Sequence, residues 1–298
     1  MTNMIRRARL GLLLLPLLAL PVRAQEGIDV DPLPPALGAG DAFTTREARL
    51  EPGTAAAGVG LDWSWHLLRD NLATGGEWLA DQRLRIFAGG QVVVGRKLRL
   101  AVVASYLPWQ RGRRYDELGQ LEPLGAGSGE AWLTMGWAPL ATDRVAALLE
   151  CGLRLPAASP AALAGEPDWG TRFALLLSLR GWLGSLLANL GVTTRRRTLF
   201  RNLVWDDGWH VSLAGRLGPP GWPLWPVLEM RAEGVLARPG DSTLLAAQGL
   251  AGVRLDLGRY SLLLGAGRGI YGLLTPAWRV FARLAVSAGG EKNAPGAE

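Results

Sequence analysis

The chain has 298 residues, 49% of them hydrophobic, with 40 glycines, 13 tryptophans and a formal net charge of +6, which is too apolar for a disordered protein. A single cysteine, Cys151, excludes a disulfide framework and a cysteine-based zinc cluster, and reads as a small strand residue. The charge is unevenly spread: residues 1–24 hold four basic groups and no acid, 25–53 carry −4, 291–298 carry −1, and 54–290 carry +7. A basic body between acidic ends favours an anionic partner over a cationic one.

Residues 1–24 contain Arg6, Arg7 and Arg9, an apolar run from Leu10 to Leu20, and Pro21-Val-Arg-Ala24. These are the charged, apolar and small-residue parts of a cleavable secretion signal. An exported chain of this pattern is not expected to meet nucleic acid. Residues 25–53, with Asp31-Pro-Leu-Pro-Pro35 and Gly38-Ala-Gly40, lack periodicity and are expected to form a flexible periplasmic leader. A short tail over 291–298 is expected to be disordered.

From Gly58 to Val286 apolar residues occupy every second position in about twelve short segments. Val59, Leu61, Trp63, Trp65 and Leu67 alternate with Gly60, Asp62, Ser64 and His66. Successive strand side chains point to opposite faces, so one set meets lipid and the other a lumen. The segments fall near 57–67, 83–94, 98–107, 129–138, 145–155, 171–180, 186–195, 208–217, 226–236, 244–255, 260–267 and 277–286. Short separators such as Gly95-Arg-Lys97 and Asp256-Leu-Gly-Arg259 alternate with long ones such as Pro108 to Ser128 and Pro156 to Gly170. This rhythm predicts an all-β, antiparallel up-and-down transmembrane barrel of twelve strands over 54–290, in the outer membrane, with periplasmic turns, longer outer loops and both ends in the periplasm. Trp137, Trp182, Trp222 and Trp225 then mark the periplasmic belt, and Trp205, Trp209 and Trp278 the outer one. Phe173 to Val192, with only Arg180 charged, could also be read as one membrane helix. Gly181 and Gly184 at its middle, and the cost of burying Arg180 at mid-bilayer, favour a hairpin.

Taking the less apolar parity as inward places Arg85, Arg99, Arg154, Arg172, Arg180, Arg195, Arg216, Arg231, Arg254, Arg279 and Arg283 in the lumen, against Asp62, Glu130, Glu150, Glu229 and Glu233. Glu229-x-Arg231-x-Glu233 puts three charges on one face, within reach of arginines on neighbouring strands. Two readings of this array stay open. Unpaired guanidinium groups could bind small anionic solutes bidentately in a porin-like passive channel. Alternatively, arginines and carboxylates cross-brace a non-conducting surface barrel whose outer loops, with Arg111-Gly-Arg-Arg-Tyr115 and Arg195-Arg-Arg197, bind lipopolysaccharide phosphates. The arginine excess favours the first.

Enzymatic and metal chemistry find little support. His210-x-Ser212 matches the spacing of outer-membrane phospholipases, but Trp209, Val211 and Leu213 take the lipid face, which turns His210 and Ser212 inward. Ser64-x-His66 repeats that spacing by accident. Asp206-Asp207 reads as a solvated pair rather than a calcium site, and no cofactor is called for. The sequence leaves the oligomeric state and the solute open.

The last hairpin holds Gly265-Ala-Gly-Arg-Gly-Ile270, Gly272 and Thr275-Pro-Ala-Trp-Arg-Val-Phe-Ala282. It resembles the closing strands of the N-terminal barrel of OmpA-family proteins, and Gly136-Trp-Ala-Pro139 is compatible with an early periplasmic turn of that family. The resemblance implies an outer-membrane barrel. Leu274 and Arg283 stand where that family usually has glycine, and the family's peptidoglycan-binding domain is not expected here, so wall anchoring is not carried over.

Overall fold

The computed structural model describes residues 36, 41–69, 78–115, 121–159, 162, 165–166, 168–200, 203–219, 221–237, 245–272 and 275–289. The expected signal (1–24), the first part of the leader and the 291–298 tail lie outside the described residues. Fifteen strands are present among them: β1 (Ala55–Arg69), β2 (Trp78–Val94), β3 (Leu98–Tyr115), β4 (Leu121–Pro123), β5 (Gly127–Ala141), β6 (Val145–Leu155), β7 (Gly170–Gly181), β8 (Gly184–Thr194), β9 (Thr198–Phe200), β10 (Leu203–Trp205), β11 (Gly208–Leu217), β12 (Leu224–Val235), β13 (Ala246–Leu257), β14 (Tyr260–Tyr271) and β15 (Trp278–Ala288).

Twelve of them form one closed antiparallel barrel. Each of these pairs with its neighbours in chain order, β3 passes directly to β5 and β8 to β11, and β1 closes the sheet by pairing with both β2 and β15. Closure leaves no edge strand, so apart from a few bulges the ladders are paired within the wall, as a bilayer interior demands. The remaining three strands are short outer extensions: β4 pairs with the end of β3, and β9 with β10. The stretch expected as a long loop at 108–128 is thus partly strand. Periodicity is silent there, because a strand that stands above the bilayer is wet on both faces.

Alternation is clearest in β6, where Ala146, Leu148, Glu150, Gly152 and Arg154 are buried while Leu149, Cys151 and Leu153 are exposed. Around the wall the outward set is apolar, with Val59, Leu61, Leu133, Phe173, Leu190 and Val280 all more than a third exposed. So large an apolar exterior fits a lipid surround and no aqueous one. Phe173 to Val192 is the hairpin β7–β8, with Arg180 beside its turn, and no described helix is long and apolar enough to cross a membrane. The tight turns include Gly95 and Gly258, both at φ +64°, a left-handed conformation that glycine adopts without strain. Both ends of the described wall, Ala55 and Ala288, pair with each other at this short-turn end.

The interior is occupied. Residues 41–50 run inside the barrel outside its hydrogen-bonded sheet, and Ala42, Phe43, Thr45 and Ala48 have no exposed surface. This corrects the expectation that all of 25–53 hangs free in the periplasm. A segment without sheet periodicity can still be ordered when a wall supplies its partners, and composition alone does not reveal such a wall. The segment divides the lumen into two apolar clusters. Ala42 and Phe43 pack with Phe87, Leu187, Ala214, Val227, Leu250, Leu263 and Phe281, while Ala48 and Leu50 pack with Val93, Ala138, Ala146, Leu148 and Leu176. Two wall glycines make the first possible: a Cβ on Gly265 would lie 2.3 Å, and on Gly252 2.8 Å, from the Phe43 ring.

Candidate functional site

Strand pleating turns the predicted strand arginines inward, with Arg180 half exposed at the mouth and Arg195 just past the end of β8, but the barrel does not leave them as a ring of open guanidinium groups. Arg85 donates to Asp62 Oδ2 (2.9 Å), and Arg279 Nε lies 3.0 Å from Oδ1 of the same carboxylate. Glu150 receives Arg99 at 3.0 Å and Arg172 at 3.2 Å, as well as Arg46 from the internal segment. Arg154 donates to Glu130 (3.2 Å) and to Glu166, and its guanidinium and that of Arg172 lie 5.7 and 4.9 Å from the Trp132 ring centre. Arg231 lies 3.6 Å from Glu233 of its own strand. Arg254 donates to Asp256 Oδ1 at 2.7 Å, and Arg195 lies 3.2 Å from Glu166.

The internal segment completes this network from both sides. Arg283 donates to the carbonyl oxygens of Ala36, Asp41 and Ala42. Glu229 accepts the N–H of Thr44 with both oxygens at 3.0 Å, that of Thr45 at 3.2 Å, and the Thr44 hydroxyl. Ala48 N–H donates to Ser178 Oγ (2.8 Å), and Arg99 donates to the Glu47 carbonyl (2.8 Å). Arg216 donates to Glu47 Oε1 at 3.3 Å, with Arg180, half exposed at the mouth, 3.7 Å from the same oxygen. Hydrogen bonds to charged groups in a poorly hydrated space are worth about 1.5–3 kcal/mol each, so this contact set holds one register.

A second obstruction lies at the outer end. The loop after β6 turns inward, burying Ala158, Ala162 and Glu166. Gln110 Nε2 donates to Ala162 O at 2.8 Å, and Ser159 N–H to Ser128 O at 2.7 Å. At the short-turn end the lumen widens into a vestibule of about 320 Å³, lined by Glu47, Arg49, Arg180, Ser185, Arg216, Trp225 and Arg254 among others. Trp225, expected in the periplasmic belt, is half-buried against this mouth, whereas Trp137, Trp182 and Trp222 are exposed. Trp278 is exposed at the outer end, and the Trp205 side chain lies outside the described residues.

His210 and Ser212 are buried and face the lumen, with Val211 and Leu213 outward. The sequence reading missed Arg83, which shares the inward parity of Arg85 and is 1% exposed. It also missed Arg46, Glu47 and Glu166, which lie outside the strands and so had no parity to reveal them. Asp207 accepts the N–H of Arg195 at 2.8 Å, and its own N–H donates to Asp206 at 2.9 Å, so this pair shapes a loop. Among the described residues no group of three His, Cys, Asp or Glu side chains could hold a metal.

No family model matches the chain, and no curated protein matches it. Solved structures do resemble it. An outer-membrane channel from Pseudomonas putida F1 superposes with a TM-score of 0.60 at 13% identity, over 85% of this chain and 100% of that one. The NanC porin superposes with a TM-score of 0.51 at 6% identity, over 78% of this chain and 99% of that one. The chain has the fold of an outer-membrane β-barrel.

Proposed function

We propose that this barrel is a passive channel for small solutes, with a preference for anions, closed in the described conformation by its own residues 41–50. One observation carries the reading: the wall encloses a polar, arginine-rich lumen, and what fills its centre is a segment outside the sheet, held by hydrogen bonds and packing that can be exchanged for water. Displacing it breaks no strand pairing, whereas opening an eight-stranded barrel packed with its own side chains has no such route. The wall's arginine excess would then face the solute path and favour anions. The two neighbouring folds named above, a channel and a porin, agree with this use of the architecture.

The experiment is conductance and reversal potential of the refolded protein in a planar bilayer under a salt gradient. The expected result is discrete steps with an anion-selective reversal, moved toward zero by Arg→Ala at Arg154, Arg216 and Arg254. Silence from a folded, inserted protein would overturn the channel.

A second reading has its own support, because many lumen arginines are neutralised by carboxylates. In it the barrel does not conduct, and exposed outer arginines such as Arg111 and Arg196 bind lipopolysaccharide phosphates. The OmpA-like form of the closing hairpin is compatible with such a barrel. Lipid hydrolysis has no support from His210 and Ser212, which face away from lipid.

A further inference from the structure

Three arginines on three different strands, Arg180 of β7, Arg216 of β11 and Arg254 of β13, converge on the periplasmic vestibule. Its volume of about 320 Å³ stands at the lower end of the ~300–1,000 Å³ typical of small-molecule sites. Of the carboxylates that line it, Glu47 belongs to the internal segment and is loosely seated. A single oxygen of Glu47 lies 3.3 Å from Arg216 and 3.7 Å from Arg180, where a guanidinium prefers two parallel bonds of about 2.7–2.9 Å. Arg216 spends its Nε on Ser185 Oγ (2.8 Å), and Arg254 keeps a buried Nη1 without a hydrogen-bond partner. Trp225 lines it as well.

From this we infer that the vestibule is a binding site for a small organic carboxylate, and that Glu47 is its tethered occupant. The inference deepens the anion-preferring reading of the lumen and rests on it. A carboxylate is the fitting class, because the group already seated between Arg216 and Arg180 is one, the side chain of Glu47. A free carboxylate entering from the periplasm competes with Glu47 for Arg216 and Arg180. It thereby loosens the segment that fills the barrel, since a tethered competitor reduces the apparent affinity of a free one by the fraction of time it holds the site.

The test is calorimetric titration of succinate into the refolded full chain in detergent, with inorganic phosphate and chloride as comparison anions. Succinate should bind saturably, about tenfold more tightly in Glu47→Ala than in the wild type, and not measurably in Arg216→Ala. Should Arg216→Ala fail to fold, the Glu47→Ala comparison decides alone, with Glu47→Gln as its conservative partner. Absence of saturable succinate binding to folded wild type and Glu47→Ala overturns the site. Equal affinities in the two overturn the tethered-occupant role, and phosphate binding without succinate binding overturns the carboxylate class. Titration needs no current: succinate binding by a silent barrel keeps the site and removes the channel, whereas conductance without succinate binding does the reverse.

Discussion

Phe43→Ala separates the barrel from what fills it. The Phe43 ring is fully buried, stands edge-on to Phe281 with centroids 5.5 Å apart, and occupies the space left by Gly252 and Gly265. In a dry core such a truncation costs about 3–5 kcal/mol. Here the void can refill with water from the lumen, so the low end applies, about 3 kcal/mol. That loss falls on the docked state of residues 41–50 alone, because those residues contribute no ladder hydrogen bond to the wall. It lowers the docked-to-undocked ratio roughly 150-fold. The Thr44 and Thr45 bonds to Glu229 and the Arg46 pair with Glu150 remain, so docking is weakened rather than lost. In planar bilayers the variant should show closed dwell times shortened by up to that factor, while thermal unfolding of the barrel stays near wild type. Equal open probability in wild type and variant, both folded, would refute the idea that this segment is the barrier.

Gly265→Val should act from the wall side, since a side chain there occupies the Phe43 ring position; it should raise open probability as Phe43→Ala does, and the two changes together should do little more than either alone. Glu166→Gln weakens the buried pairs of the inward-folded outer loop with Arg154 and Arg195. Limited elastase digestion of 156–169 should then proceed at least tenfold faster than in the wild type, with the wall strands intact; an unchanged rate would mean that those pairs do not hold the loop.

The wall was legible in the sequence because its physics is local. Each strand must alternate to satisfy lipid on one side and polar groups on the other, so Leu149, Cys151 and Leu153 against Glu150, Gly152 and Arg154 declare both strand and orientation. Twelve strands, the β7–β8 hairpin and the inward arginines followed from that one rule. What fills the wall was not legible, because its partners are far away in sequence: Thr44 meets Glu229 across 185 positions, and Ala42 meets Arg283 across 241. The glycine-rich stretch of β14 was visible as a motif, but its use was not. Gly265 makes room for a phenylalanine outside the sheet, which no strand pattern announces, while Gly252 is held small first by the backbone of the neighbouring strand.

The charge distribution did carry the missing contact, although periodicity could not. A leader at −4 preceding a body at +7 looks, in sequence, like a soluble tail on a basic barrel. Among the described residues, one acid of that leader, Glu47, meets wall arginines within the lumen. Buried guanidinium groups are costly unless paired, and the wall's own acids are too few for them. Glu47 of the segment answers Arg216 and Arg180, and the carbonyls of Ala36, Asp41 and Ala42 answer Arg283. The exchange also runs the other way, since wall acids Glu229 and Glu150 take up N–H groups and a guanidinium of the segment. Such two-way matching ties the segment to one register without a strand ladder. It also makes the occupant replaceable in kind: whatever can satisfy the same arginines, whether water with counter-ions or a carboxylate solute, competes with it on equal chemical terms.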